Sequence, residues 1–165
     1  MNIGILTISD RSSRGERADA SGPALAEVVT AQGWGVVRTQ VVPDELEAIQ
    51  STLSAWADGK DLDVILTTGG TGFAPRDITP EATRAVLERL TPGLDEAMRA
   101  ASLKVTPHAM LSRAVSGIRK QTLIVNLPGS PKGAVENLQV ILPVLQHAVQ
   151  LLHDDPSGEK SHLVR

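Results

Sequence analysis

Leu62-Asp63-Val64-Ile65-Leu66-Thr67-Thr68-Gly69-Gly70-Thr71-Gly72 is the stretch that decides the fold. Its first seven residues are, Asp63 apart, apolar or β-branched and predict a buried strand, which the glycines end. Thr79 and Pro80 then predict the start of a helix, with Val86 and Leu90 on its buried side. Strand, glycine turn and helix make the unit from which doubly wound sheets are built. Upstream the unit recurs. Ile3 to Ile8 predicts a strand, Asp10 to Ala20 a loop, and Ser21 the N-cap of a helix with Pro23 near its start, running to Gln32. Gly33 and Gly35 stop that helix, and Gly35 to Val42 predicts a second strand. Asp44 and Glu47 have the spacing of a capping box, and Leu46, Ile49, Leu53 and Trp56 form an apolar stripe at helical spacing.

Downstream, Gly93 to Val105 predicts a helix and Pro107 to Ser112 irregular chain. Ala114 to Ile118 and Thr122 to Val125 read as two strands joined by a short turn. Ser130 and Pro131 open a last helix striped by Val135, Leu138, Leu142, Leu145 and Val149, which Pro143 should kink or divide. Alternating strands and helices imply right-handed βαβ units. The expected class is therefore α/β: a doubly wound, mostly parallel sheet with helices on both faces and a small β-hairpin-like extension. Residues 1–153 read as a single domain and residues 154–165 as a polar C-terminal tail.

Composition narrows the chemistry. At 165 residues the chain is long enough to bury a real core, and with 2% aromatic residues that core must be Leu, Val, Ile and Ala. Net charge is −3 and no run of Lys or Arg exceeds two, which argues against a nucleic-acid partner. The absence of cysteine excludes disulfides and thiolate chemistry. Without a basic leader or a long apolar run, the expected location is cytoplasmic, with no membrane partner.

Four features could carry chemistry. Gly69, Gly70, Thr71 and Gly72 follow a strand, where glycines let the backbone approach a ligand and turn its N–H groups toward an anion; a tight turn without ligand would read the same. The motif is neither a P-loop nor a dinucleotide fingerprint. Asn126, Pro128 and Gly129 form a second loop between strand and helix, with Ser130 as a cap and Lys132 as a nearby charge. Asp44 and Asp77 follow strand ends and suit Mg²⁺ beside phosphate, although Asp44 could equally cap its helix; Asp10 is a weaker candidate for the same edge. Ser102, Lys104, Ser112 and Arg113 could hold a second, anionic ligand or be plain surface. The four histidines show no metal spacing.

Taken together these residues resemble the molybdopterin adenylyltransferase family, which includes the G domain of gephyrin. The resemblance covers nearly the whole chain. It runs from Thr7-Ile8-Ser9-Asp10 through Ser21-Gly22-Pro23 and Val42-Pro43-Asp44-Glu45. Its most specific stretch is Gly69-Gly70-Thr71-Gly72-Phe73-Ala74-Pro75-Arg76-Asp77-Ile78-Thr79-Pro80-Glu81-Ala82-Thr83. Thr91-Pro92-Gly93-Leu94, Ser102-Leu103-Lys104, Ala109-Met110-Leu111-Ser112-Arg113 and Asn126-Leu127-Pro128-Gly129-Ser130-Pro131 complete it; the family often has Asn where Ser130 stands. The resemblance implies Mg²⁺-dependent transfer of AMP from ATP to the terminal phosphate of molybdopterin, releasing pyrophosphate. It implies that Asp44 and Asp77 are essential and hold the metal. It places Ser102 and Ser112 with the pterin, Lys104 and Arg113 lying beside them, and the two loops at the nucleotide. It also implies a homotrimer, with Leu103, Met110 and Leu111 as candidates for subunit packing, and a downstream molybdenum insertase as a possible partner. Pterin binding without efficient adenylation, and a scaffold role, are the alternatives.

Overall fold

The computed structural model describes residues 1–154, so the expected polar tail lies outside the described residues apart from Asp154. Six strands form one sheet: β1 (Asn2–Ile8), β2 (Gly35–Val42), β3 (Val64–Thr68), β4 (Arg89–Leu90), β5 (Ser116–Arg119) and β6 (Thr122–Leu127). Their order is β2-β1-β3-β6-β5-β4. The first four in that order are parallel; β5 and β4 add an antiparallel edge. The helices are α1 (Asp10–Ser13), α2 (Ser21–Ala31), α3 (Leu46–Asp58), α4 (Thr79–Val86), α5 (Pro92–Leu103) and α6 (Pro131–Leu152), with a 3-10 turn over Pro107–Leu111.

Both faces of the sheet are covered, so the central strands are apolar on both sides. On one face Ile3, Ile5, Val64, Leu66, Leu123 and Val125 pack with α2, α5 and α6 through Leu25, Val29, Met98, Leu138 and Leu145. On the other, Leu6, Ile8, Ile65 and Ile124 pack with α3 and α4 through Ile49, Leu53, Trp56, Ala82 and Val86. Alternation at period two assigns each strand residue to its face. Each fully buried Leu or Ile contributes roughly 1.5–3 kcal/mol.

Several local expectations are corrected. The stretch after β1 is not all loop: Ser9 Oγ accepts the Ser12 N–H and starts α1. Ser21 lies inside α2 and caps nothing; Asp19 Oδ1 accepts the Ser21 and Gly22 N–H groups instead. Leu46 is exposed, at the first turn of α3. Leu90 belongs to the two-residue edge strand β4 and is also exposed, because α4 ends at Val86. Pro143 does not divide α6, which is continuous from Pro131 to Leu152. Both Pro143 and Gln139, whose carbonyl loses its helical partner there, are exposed, so water can satisfy that oxygen.

Candidate functional site

Four strand ends meet at one edge. The parallel registers align Ile8 with Val42, Thr7 with Thr68, and Thr68 with Leu127. The segments that begin at Ser9, Pro43, Gly69 and Pro128 therefore leave the sheet side by side. Ligands in open α/β sheets lie beyond such carboxyl ends, near the point where strand order reverses, and here that point lies between β1 and β3.

The glycine turn is shaped by contact. Gly69 and Gly70 have φ of 106° and 63°. A Cβ on Gly69 would lie 2.2 Å from the Ile8 carbonyl oxygen; one on Gly70 would lie 2.4 Å from Thr79 Oγ1 and 3.1 Å from Asp44 Oδ1. Only glycine can occupy these positions without strain. Thr79 pins the turn: its Oγ1 donates to the Gly69 carbonyl at 2.8 Å and its N–H to the Gly70 carbonyl at 3.1 Å. It does not cap α4; Ile78 takes the cap position with no side-chain bond.

Asp44 forms no capping box either. Glu45 is the cap residue of α3 and makes no side-chain cap bond. Asp44 Oδ2 instead accepts the Asp10 N–H at 2.8 Å, and Asp10 Oδ1 accepts the Asp44 N–H at 3.1 Å. This exchange follows from register, since Ile8 faces Val42 and the two aspartates each lie two residues further on. Arg76 Nε and Nη2 clamp the Asp10 carboxylate at 2.6 and 3.0 Å. Nη2 also donates to the Asp44 carbonyl and to Glu45 Oε1. Those hydrogen bonds from Arg76 hold the Asp10 carboxyl below the ordinary carboxylate range. Burial pushes the Asp44 carboxyl up, against the Asp10 N–H that it accepts, and the Asp10 charge adds to the rise. Asp77 Oδ2 accepts the Ala74 N–H at 2.9 Å and lies 2.8 Å from where a Cβ on Gly72 would stand.

Two cavities open at this edge. The larger, about 860 Å³, is lined by Asp10, Asp44, Asp77, Thr68, Gly69, Gly70 and Gly129 among others. The smaller, about 280 Å³, is lined by Thr71, Gly72, Ser102, Ser112, Asn126 and Pro128 among others. Ser130, which caps α6 by accepting the Gly133 N–H, borders both. The turn thus divides the expected nucleotide set: Gly69, Gly70 and Gly129 face the acidic cleft, whereas Thr71, Gly72, Asn126 and Pro128 border the serine-lined cavity.

Of the expected contact residues, Arg113 and Lys104 line neither cavity, and Asn126 borders one with its side chain already engaged. Asn126 is fully buried; its Oδ1 accepts the Val115 N–H, and its Nδ2 donates to Thr67 Oγ1 and Thr83 Oγ1. Its amide ties β6 to β3 and α4. Arg113 is held by the protein itself: Nε donates to the Gly72 carbonyl at 2.7 Å, and the other guanidinium nitrogens bond Glu81 and the Asp77 carbonyl. It braces the glycine loop from behind, and its hydrogen bond holds the Glu81 carboxyl down. Lys104 is exposed at the end of α5 and lines neither cavity.

The roles of Arg76, Asp19 and Thr79 were not legible from spacing. Arg76 has a sequence signal in hindsight, a lone cation in the Ala74-Pro75-Arg76-Asp77 turn beside acidic strand ends. Among the described residues no three acidic or histidine side chains converge as a ready metal cage. Asp44 and Asp77 nevertheless bring two carboxylates to one cleft, a donor set that fits Mg²⁺ bound mainly through phosphate and water.

A family model described as Probable molybdopterin binding domain matches residues 4–147. The chain is 48% identical over 166 residues to gephyrin of Dictyostelium discoideum, covering 94% of this chain; it spans only 23% of that longer relative. It is 43% identical over 154 residues to molybdopterin adenylyltransferase of Helicobacter pylori (strain J99), covering 92% of this chain and 88% of the relative. Among solved structures, the molybdopterin biosynthesis enzyme MoaB of Thermus thermophilus superposes with a TM-score of 0.88 at 54% identity, covering 94% of this chain and 98% of that one.

Proposed function

This chain belongs to the molybdopterin-binding domain family of molybdenum cofactor biosynthesis, and on that premise we propose that it is a molybdopterin adenylyltransferase, moving AMP from ATP to the terminal phosphate of molybdopterin. The observation that carries the reading is the pairing of two cavities across one glycine turn. One presents Asp44 and Asp77; the other presents Ser102 and Ser112; both touch Ser130. Two bound phosphates, one from each substrate, would meet at that border.

The nucleophile is a phosphate monoester with a second pKa of about 6, so it is ionised at neutral pH and needs no base. A chain without cysteine, and with no histidine lining the acidic cleft among the described residues, is suited to such a reaction. Catalysis then consists of positioning and charge compensation. Asp44 and Asp77 would hold Mg²⁺, which when bound offsets charge on phosphate oxygens. The open turn at Gly69 and Gly70 offers close backbone approach to the nucleotide. Arg76 positions Asp10, and Asp10 positions Asp44, so the carboxylate is preorganised before substrate arrives. Ser102 and Ser112 offer hydroxyls to the pterin side.

Exposed Leu103 (43%), Val105 (67%), Met110 (64%) and Leu111 (45%) support packing between subunits, and the assembly proposed is a homotrimer. The adenylylated product would pass to a molybdenum insertase, in the cytoplasm. No helix among the described residues is long and apolar enough to cross a membrane.

The test is to mix ATP, Mg²⁺ and molybdopterin with the protein and measure pyrophosphate. Release that requires molybdopterin and is lost in Asp77→Ala is the expected result. Tight pterin binding with no pyrophosphate would refute the enzyme.

A further inference from the structure

The acidic cleft has a second wall, and it is basic. Arg11, Arg14 and Arg17 all line it. They lie on α1 and the chain that follows, and this segment is tied down at both ends. At its start, Ser9 N–H donates to the Val42 carbonyl, and Asp10 exchanges hydrogen bonds with Asp44. After α1 the chain turns at Gly15, φ 73°, with the Glu16 N–H on the Arg11 carbonyl at 2.9 Å. At its end Asp19 accepts from Thr7 Oγ1 at 2.6 Å and from the first N–H groups of α2. The three cations are therefore carried on anchored backbone, and the anchor at one end is Asp44 itself.

Their pairing differs from that of the arginines tied to distant acids; Arg84, Arg89 and Arg99 also lie outside the ion pairs among the described residues, but they do not line this cleft. Arg38, Arg76, Arg113 and Arg119 each make an ion pair with an acid elsewhere in the fold. Among the described residues Arg11 and Arg17 make none. Arg14 pairs only with Glu16, two residues away, with both side chains at least half exposed. Such a pair is worth little and is easily exchanged for a stronger anion. Three arginines thus share one cleft with Asp44, Asp77 and the Asp10 carboxylate that Arg76 already holds. A ligand suited to both walls is polyanionic and brings a cation to one end.

We infer that Arg11, Arg14 and Arg17 receive the β- and γ-phosphates of the nucleoside triphosphate and hold the pyrophosphate as it leaves. The inference rests on the adenylyl-transfer reading and assigns its leaving-group site. In that step an oxygen of the pterin phosphate forms a bond to the α-phosphorus. The bond from that phosphorus to the bridging oxygen breaks, and its electron pair stays on the pyrophosphate. No proton moves, and the leaving group gains one negative charge. Guanidinium groups stay charged at any working pH, so a cationic wall there stabilises charge as it develops.

The test uses the full chain with Arg11→Gln and Arg17→Gln combined, Arg11→Lys with Arg17→Lys, and Arg84→Gln as an exposed control outside the cleft. AMP, ADP, ATP and molybdopterin are titrated separately with Mg²⁺ present, and inhibition by pyrophosphate is measured. Wild type should bind ATP more tightly than AMP. In the double Gln variant that preference and pyrophosphate inhibition should each weaken by at least about tenfold, the effect of roughly one charge-assisted hydrogen bond. AMP and molybdopterin affinities should hold within about twofold, the Lys variant should recover part of the loss, and Arg84→Gln should change nothing. Unchanged pyrophosphate inhibition, or a wild type that does not prefer ATP to AMP, would overturn the inference. Loss of molybdopterin affinity with ATP binding intact would also overturn it, assigning the wall to the pterin phosphate. If wild type released no pyrophosphate at all, the adenylyl-transfer reading itself would fail. A variant that loses nothing in a working enzyme sinks only the arginine wall.

Discussion

Replacing Gly69 by alanine should damage this protein more than any other single methyl group at the site. The new Cβ would stand 2.2 Å from the Ile8 carbonyl oxygen and 3.3 Å from its carbon. Those atoms are backbone of the last residue of β1, which is paired with Val42 of β2 and follows Thr7, paired with β3, so they cannot swing away. The φ of 106° is itself costly for an L-residue. Backbone strain of this kind is worth about 1–3 kcal/mol, and overpacking of a rigid interior about 1–3 kcal/mol more. A middle value of about 4 kcal/mol lowers Tm by roughly 8–16 °C in a domain of this size. Thermal unfolding followed by circular dichroism, with urea midpoints as a second measure, reads this directly. Gly93→Ala is the control. A Cβ there meets nothing within 4 Å, and alanine should raise stability by up to about 1 kcal/mol through helix propensity. A Gly69→Ala protein that melts within about 2 °C of wild type would refute the contact argument and the turn geometry on which the site is built.

Asp44→Asn should abolish most pyrophosphate release yet leave the protein slightly more stable at neutral pH. Burial raises the Asp44 pKa, so the native state holds its proton longer than the unfolded chain, and wild-type stability falls as pH rises between the two pKa values. The Tm advantage of the Asn variant should therefore be absent at about pH 3 and open above the usual carboxylate range; a gap that closes with rising pH would contradict this. Arg76→Ala should cut turnover by about 10–100-fold while costing only about 1 kcal/mol in urea unfolding, because the half-exposed arginine acts by orienting Asp10 and Asp44. A large stability loss with turnover intact would make Arg76 merely structural. Asn126→Leu should destabilise by about 2–4 kcal/mol, since it strands the Val115 N–H and two buried threonine hydroxyls. Equal stability with weakened ATP binding would restore Asn126 as a ligand contact.

Much of this molecule was legible before any coordinates. Short continuous apolar runs marked the three central parallel strands β1, β3 and β6, and glycine after β3 marked the edge of the candidate site, because these signals are local. The stripe of α6 was legible too, but not its continuity: Pro143 reads as a break, and the helix runs through it. What failed depended on partners far along the chain. Asp44 and Glu47 have capping-box spacing, but Asp10, 34 residues away, takes the Asp44 side chain. Ser21 looks like a cap, but Asp19 is better placed. Thr79 reads as a cap and instead bonds the Gly69 carbonyl. Leu90 fits a helical stripe, yet edge pairing with β5 claims it.

From residues alone came the α/β class, the glycine turn after a strand, the two aspartates beside it and the serines beyond. Those follow from chain-local sterics, since φ preferences, side-chain branching and hydrophobic spacing act over a few residues. Only the tertiary structure decided which hydrogen bonds those side chains make. Parallel register set Asp10 against Asp44, loop packing drew Asn126 and Arg113 inward, and the anchored segment after β1 brought three arginines into the cleft that holds the carboxylates. A polar group takes the strongest partner in reach, and reach is determined by the folded chain.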